Sequence, residues 1–310
     1  METRRLGSAG PEVSVVGLGG NNFGMKLDER ETREVVHAAL DAGIRHFDTA
    51  ETYGEGRSEA FLGKALGNRR SDVVIATKFA PRQDSEPYQP GLLRRRIFEG
   101  CETSLRRLGT DHIDLYYQHR PDPEAPVEEA LQALNELVAM GKVIHIACSN
   151  FSAEQIDEAS RVSAERGAAN FVASQIHWNL LAREVEGEIV PAIRRHKMGI
   201  VPYFPLASGL LTGKYRQGQE YPEDSRLATM PRFAALASEE NFAYIEELSE
   251  FAEKQGHSLL ELAFGWLAAQ DGVASIIAGA TTPEQVAANV KAGGAWRLSA
   301  EELRDIPQMK

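Results

Sequence analysis

With 310 residues, 43% of them hydrophobic, the chain is long enough to fill an extended core. Its 45 acidic against 34 basic residues give a formal net charge of −11, which opposes non-specific binding to nucleic acid or anionic lipid. Cys101 and Cys148 stand far apart in no C-x-x-C pattern, so neither a disulfide framework nor a structural zinc site is expected, and no apolar run approaches the roughly 20 residues of a membrane span.

The opening "METRRLGSAG" lacks the apolar stretch of a secretory signal, so a cytoplasmic protein is expected and the "NFS" sequon at Asn150 is read as unglycosylated. Short β-rich runs then alternate with helical patterns. "VVGLG" from Val15 is the first, with Gly19 and Gly20 read as glycines that let backbone approach closely beneath a substrate. The clustered glycines of "GLGGNNFG" lack the third glycine of G-x-G-x-x-G, which argues against a dinucleotide fingerprint at this point. "DERETREVVHAALDAG" follows as a helix with Asp28 as N-cap and Gly43 as its stop. Strands are expected at "HFDT" (His46), "VVIATK" (Val73), "IDLYYQH" (Ile113), "VIHIAC" (Val143), "VASQIHW" (Val172), "GIVPYF" (Gly199) and "SIIAG" (Ser275). Several are apolar without alternation, as strands buried on both faces are. "SAEQIDEASRVSAERG" opens on a capping box, Ser152 with Gln155, and ends at Gly167. "TPEQVAANV" has Thr282 as N-cap and Pro283 at the first helical position. About 205 to 238 is the longest irregular stretch and follows the seventh strand. Eight strand–helix alternations predict a closed (β/α)8 barrel rather than an open sheet.

Four polar residues fall at or just past successive strand ends: Asp48, Tyr53 in the loop after it, Lys78 and His119. Parallel barrel strands deliver their C-terminal ends to one mouth, so the four can meet. An isolated tyrosine ionises near pH 10. A nearby ammonium lowers that value, and a carboxylate keeps the ammonium charged and oriented. Tyr53 then suits proton exchange with a carbonyl or alcohol oxygen, with His119 as donor or relay.

Together "HFDTAETYGEGRSEAFLGKAL", "VVIATKF", "IDLYYQHRPD", "ACSNFS", "PYFPLASGLLTGKY" and "IAGATTPEQVAANV" resemble an aldo-keto reductase in order and spacing along nearly the whole chain. The segment after strand seven is most similar to the potassium-channel β-subunit branch and its bacterial oxidoreductase relatives. The expected fold is a (β/α)8 TIM barrel, one domain over residues 1–310, with a short N-terminal β-hairpin cap and a long loop after strand seven.

The resemblance implies an NADP-dependent oxidoreductase that interconverts carbonyls and alcohols by direct hydride transfer without metal. Tyr53 is its general acid/base, supported by Asp48, Lys78 and His119. It places Ser149, Asn150 and Gln175 on the nicotinamide carboxamide, and Tyr203 on the nicotinamide ring. Leu206, Ser208 and Leu210 fall on the pyrophosphate loop, with Lys214 as a phosphate contact. Arg226, Gly279, Thr281, Gln285 and Asn289 fall around the 2′-phosphate and adenine. Bland alternatives stand beside these: Asn150 as a cap for the helix at Ser152, and Tyr203 as plain core. NADP(H) is favoured over NAD(H), because Arg226 and the helix N-terminus at Thr282 suit a phosphate, although the family's Lys-Ser pair is replaced by Gly279 and Ala280. Asn21, Phe23 and Trp178 are candidate substrate contacts, Trp178 being equally able to pack beneath a helix. His145 and His177 read as core. The partner expected is a small carbonyl or alcohol, with a homo-oligomer open. Two rivals remain: a nicotinamide-binding regulatory subunit without turnover, and a Schiff-base enzyme using Lys78.

Overall fold

The computed structural model describes residues 1–81, 87–221, 226–229, 233 and 235–308, without the side chains of Arg226 and Thr229. Two short strands, β1 (Thr3–Arg5) and β2 (Glu12–Ser14), pair antiparallel as an N-terminal hairpin. Eight parallel strands then close on themselves: β3 (Val16–Gly19), β4 (His46–Asp48), β5 (Val74–Phe79), β6 (Ile113–Gln118), β7 (Val143–Ser149), β8 (Ala173–His177), β9 (Gly199–Tyr203) and β10 (Ile276–Gly279). Strand β10 pairs with both β3 and β9 and completes the cylinder. Each expected strand is found, starting within one residue of its predicted position.

The absence of alternation in these strands follows from what lies on each side. Ala76, Leu115, Tyr117, Ala147, Ala173 and Val201 fill the barrel interior, while Ile75, Tyr116, Ile146 and Ile200 belong to the layer under the helices. The hairpin contributes Leu6 and Val13 to the interior cluster. A two-stranded hairpin is marginal on its own, but Leu6 is fully buried, a gain of about 1.5–3 kcal/mol for such a side chain.

The helices start where their caps dictate. Asp28 and Glu31 form a capping box on the helix Glu29–Asp41, and Gly43 just beyond it takes φ +83°. Ser152 and Gln155 form another on Ala153–Arg166, which ends at left-handed Gly167. Thr282 accepts from the Gln285 amide, with Pro283 leading Pro283–Ala295. The segment after β9 contains a 3₁₀ stretch, Ala207–Thr212, and a helical turn, Arg226–Thr229, before Ser238 caps Glu239–Lys254. Among the described residues, no helix is long and apolar enough to cross a membrane.

The small size of Gly19 and Gly20 serves the barrel itself. A Cβ on Gly19 would lie 3.0 Å from Ile277 Cγ2, and one on Gly20 would lie 3.0 Å from both Phe23 and Ser58. The space each glycine leaves is taken by neighbouring protein atoms.

Candidate active site

Asp48 ends β4, Lys78 lies near the end of β5, and His119 follows the last residue of β6. Because the strands are parallel, these positions converge at one mouth. The Lys78 ammonium, fully buried, donates to Asp48 Oδ2 at 2.7 Å and to the Thr49 carbonyl at 2.8 Å. Gln175 Nε2, from β8 across the barrel, donates to the other Asp48 oxygen at 2.8 Å. Lys78 Nζ stands 5.1 Å from the centre of the Tyr53 ring, and the His119 ring meets Tyr53 edge-on at 5.8 Å. The structure thus brings Asp48, Tyr53, Lys78 and His119 together.

Burial disfavours the Lys78 charge, but Asp48 and Tyr53 outweigh it and hold the ammonium above the ordinary lysine pKa. Burial, with Lys78 adding to it, pulls His119 down to about 4. The imidazole is therefore neutral at pH 7, with one ring N–H to donate.

His46, one turn of the pleat below Asp48, is fully buried, with Nδ1 2.9 Å from Ser275 Oγ. Burial holds its pKa at about 4 against an ordinary 6.5, Asp48 opposing and Lys78 adding. Between those values the unfolded chain binds the proton and the folded chain does not, so stability falls as pH drops from 6.5 towards 4. Thermal midpoints measured from pH 7.5 to 4.5 should therefore decline less steeply in His46→Gln than in the parent. Parallel slopes would show that His46 does not contribute.

Next to the four residues lies a hydrogen-bonded chain. Ser149 Oγ donates to the Gln175 carbonyl at 3.0 Å, and Asn150 Nδ2 donates to Ser149 Oγ and to the His119 carbonyl. Tyr203 donates its hydroxyl to Asn150 Oδ1 at 2.8 Å. Asn150 takes φ +60°; it does not cap the following helix, since Ser152 does. Tyr203 is half-buried rather than plain core, and His177 stacks on it at 5.4 Å and 14°. His177 is therefore a wall of the mouth that sequence reasoning assigned to core. The signal was available: Gln175 and His177 are two apart on one strand and share a face.

The loop residues divide. Ser208 stands in a left-handed turn at φ +59°, and its buried Oγ has no hydrogen-bond partner among the described residues. Leu206 is half-buried and Leu210 fully so. Lys214 is exposed, with its ammonium 4.8 Å above the Tyr215 ring. Gly279 is exposed at the end of β10, and Asn289 is buried. Thr281 donates its amide and hydroxyl to Gln285 Oε1. The Arg226 side chain lies outside the described residues.

Two candidate substrate contacts are corrected. Trp178, 1% exposed, packs edge-on against Trp266 and donates Nε1 to Glu186, so it lies beneath the helix Leu259–Ala268. Phe23, 1% exposed, fills the space left by Gly20. Both are held inside by packing and present almost no surface to a ligand. Asn21 is half-buried; its neighbour Asn22 is buried and bonds the Ala280 carbonyl.

Residues 15–310 match the model of the aldo/keto reductase family. The chain is 38% identical to a probable voltage-gated potassium channel subunit beta from Oryza sativa subsp. japonica, over 98% of this chain and 95% of that protein. It is 37% identical to the protein of the same description from Arabidopsis thaliana, over 94% and 91%. The aldo-keto reductase YhdN of Bacillus subtilis (strain 168) is 36% identical, over 99% and 92%.

Proposed function

The chain belongs to the aldo/keto reductase family, and on that premise we propose that it reduces carbonyls, and oxidises alcohols in reverse, with Tyr53 as proton donor and NADP(H) as cofactor. One observation carries the proposal: a buried ammonium, held by Asp48, stands 5.1 Å from the centre of the Tyr53 ring, and a neutral imidazole meets the same ring edge-on. Tyr53 gives its proton to the carbonyl oxygen in the transition state. The adjacent Lys78 charge stabilises the phenolate left behind, and Asp48 fixes that charge in place. His119 donates to the same oxygen and orients the carbonyl.

The residues fit a nicotinamide dinucleotide. Ser149, Asn150 and Gln175 form a polar edge suited to a carboxamide, Tyr203 offers the ring face not covered by His177, and the unpartnered Ser208 hydroxyl suits a pyrophosphate oxygen. When bound, the nicotinamide supplies or accepts the hydride. Thr282 already occupies one amide at its helix start, and Glu284 places a negative charge in the same turn. The choice of NADP(H) therefore rests chiefly on Arg226.

Absorbance at 340 nm with a panel of aldehydes, ketones and sugars tests turnover. Cofactor binding without turnover across the panel would favour a regulatory subunit instead, the alternative that the channel-subunit relatives bring forward. Arg226→Ala should raise the Kd for NADPH about tenfold or more and leave that for NADH nearly unchanged, since a charge-assisted phosphate contact is worth roughly 1.5–3 kcal/mol. Equal losses, measured by quenching of intrinsic fluorescence, would remove Arg226 from the 2′-phosphate.

A further inference from the structure

The turn that carries Tyr53 is held in part by its own bonds, Arg57 Nε donating to the Gly54 carbonyl at 2.8 Å, but its backbone is strained. Three successive residues, Gly54, Glu55 and Gly56, take φ of +56°, +59° and +88°, and Glu55 has no glycine freedom to ease this. Further support comes from behind it, from the buried carboxylates of Glu51 and Glu59 and the half-buried guanidinium groups that meet them.

Glu51, 8% exposed, precedes the turn. Its carboxylate accepts from the Ala80 amide at 2.7 Å and from Arg96, while its own amide donates to the Lys78 carbonyl at 3.1 Å. Glu59, fully buried, follows the turn and accepts from Thr77 Oγ1 at 2.6 Å. Thr77 and Lys78 are neighbours on β5, so one strand sends the ammonium inward and anchors Glu59 on its outer face. Arg107, near the end of the helix Leu92–Leu108, joins both sides. Its Nη1 donates to the Glu51 carbonyl and to Glu59 Oε2, each at 3.1 Å. Its guanidinium also lies on Gly56, where an added Cβ would stand 2.2 Å from Arg107 Cζ.

We propose that Arg107 is a positioning residue for Tyr53, clamping the turn at Glu51, Gly56 and Glu59 so that the phenol stays against Lys78. The clamp rests on the assignment of Tyr53 as proton donor only for its effect on rate. Its effect on the turn is independent of that assignment. Displacing a reacting group by about 1 Å costs on the order of 100-fold in rate, so a clamp that touches no substrate still governs turnover.

The test uses Arg107→Met and Arg107→Lys in the full chain, with Tyr53→Phe in parallel. Two quantities are read: kcat and KM for 4-nitrobenzaldehyde reduction by NADPH, and hydrogen exchange of residues 49–58 against residues 113–118 in β6. Arg107→Met should lower kcat by roughly 100-fold with KM for both substrates within about threefold. It should speed exchange of the turn at least about tenfold while β6 is unchanged. Arg107→Lys keeps the charge beside Glu59 but loses the planar grip on Gly56, and should recover part of both effects. If Arg107→Met does not fold, the Glu59→Gln/Arg107→Met double variant, which leaves no buried charge unpaired, carries the same expectations. Unchanged exchange in the turn, or an equal rise in β6, overturns the clamp whatever the activity. Retained turnover in Tyr53→Phe overturns the proton-donor assignment and leaves the exchange result to decide the clamp.

Discussion

Replacing Tyr53 with phenylalanine is expected to lower kcat by about 10²- to 10⁴-fold, the usual contribution of a positioned acid or base. Dissociation constants for NADPH should stay within about twofold, because the hydroxyl acts in the transition state and not in cofactor binding. The change is also structurally mild. The phenyl ring retains its edge contact with His119, and Lys78 loses its interaction with the Tyr53 hydroxyl but keeps its bonds to Asp48 and Thr49. A loss of rate therefore cannot be traced to collapse of the buried ion pair. Stopped-flow measurement of NADPH consumption, with cofactor affinity from fluorescence titration, separates the two quantities. Turnover equal to the parent would end the case for Tyr53 as the proton donor, whatever role the other three residues then played.

The parts of this molecule that were legible in the sequence are those set by local chemistry. The strands could be found because burial on both faces removes alternation, and the caps at Asp28, Ser152 and Thr282 lie within four residues of the amides they satisfy. Asp48, Tyr53, Lys78 and His119 could be grouped because parallel strands bring their ends to one rim. What was misread depends on partners distant in sequence. Gly19 is small because of Ile277, and Trp178 turns away from the mouth because Trp266 and Glu186 hold it. No local pattern announces either partner. His177 was misread for another reason: its spacing from Gln175 put it on the same strand face, and its stacking on Tyr203 of the paired strand β9 bears out that signal. The buried carboxylates Glu51 and Glu59 went unnoticed because acidic residues after a strand are ordinarily solvated, and their guanidinium partners arrive from a helix about 45 to 50 residues on.

Lys78→Met should lower kcat about as much as the loss of Tyr53 does, on the order of 10³-fold, but it should also destabilise the fold, and the two effects can be separated. The ammonium and Asp48 are both buried, and among the described residues Gln175 alone would remain hydrogen-bonded to the carboxylate. Removing one member of a buried pair typically costs about 3–5 kcal/mol, because the other charge is left uncompensated. The pH dependence has a definite sign. Lys78 titrates above its ordinary value of 10.5 in the fold, so its contribution to stability is complete below that pH and disappears as pH rises through the folded value. Urea titrations should accordingly show a constant gap between parent and variant across the neutral range, narrowing only in strong alkali. Adding Asp48→Asn to Lys78→Met removes the stranded charge and should restore much of the stability. Turnover should not return, because the phenol still lacks its neighbouring cation. A double variant that regained both would show that the ammonium serves the fold alone, and the acidity of Tyr53 would then have to come from elsewhere in the site.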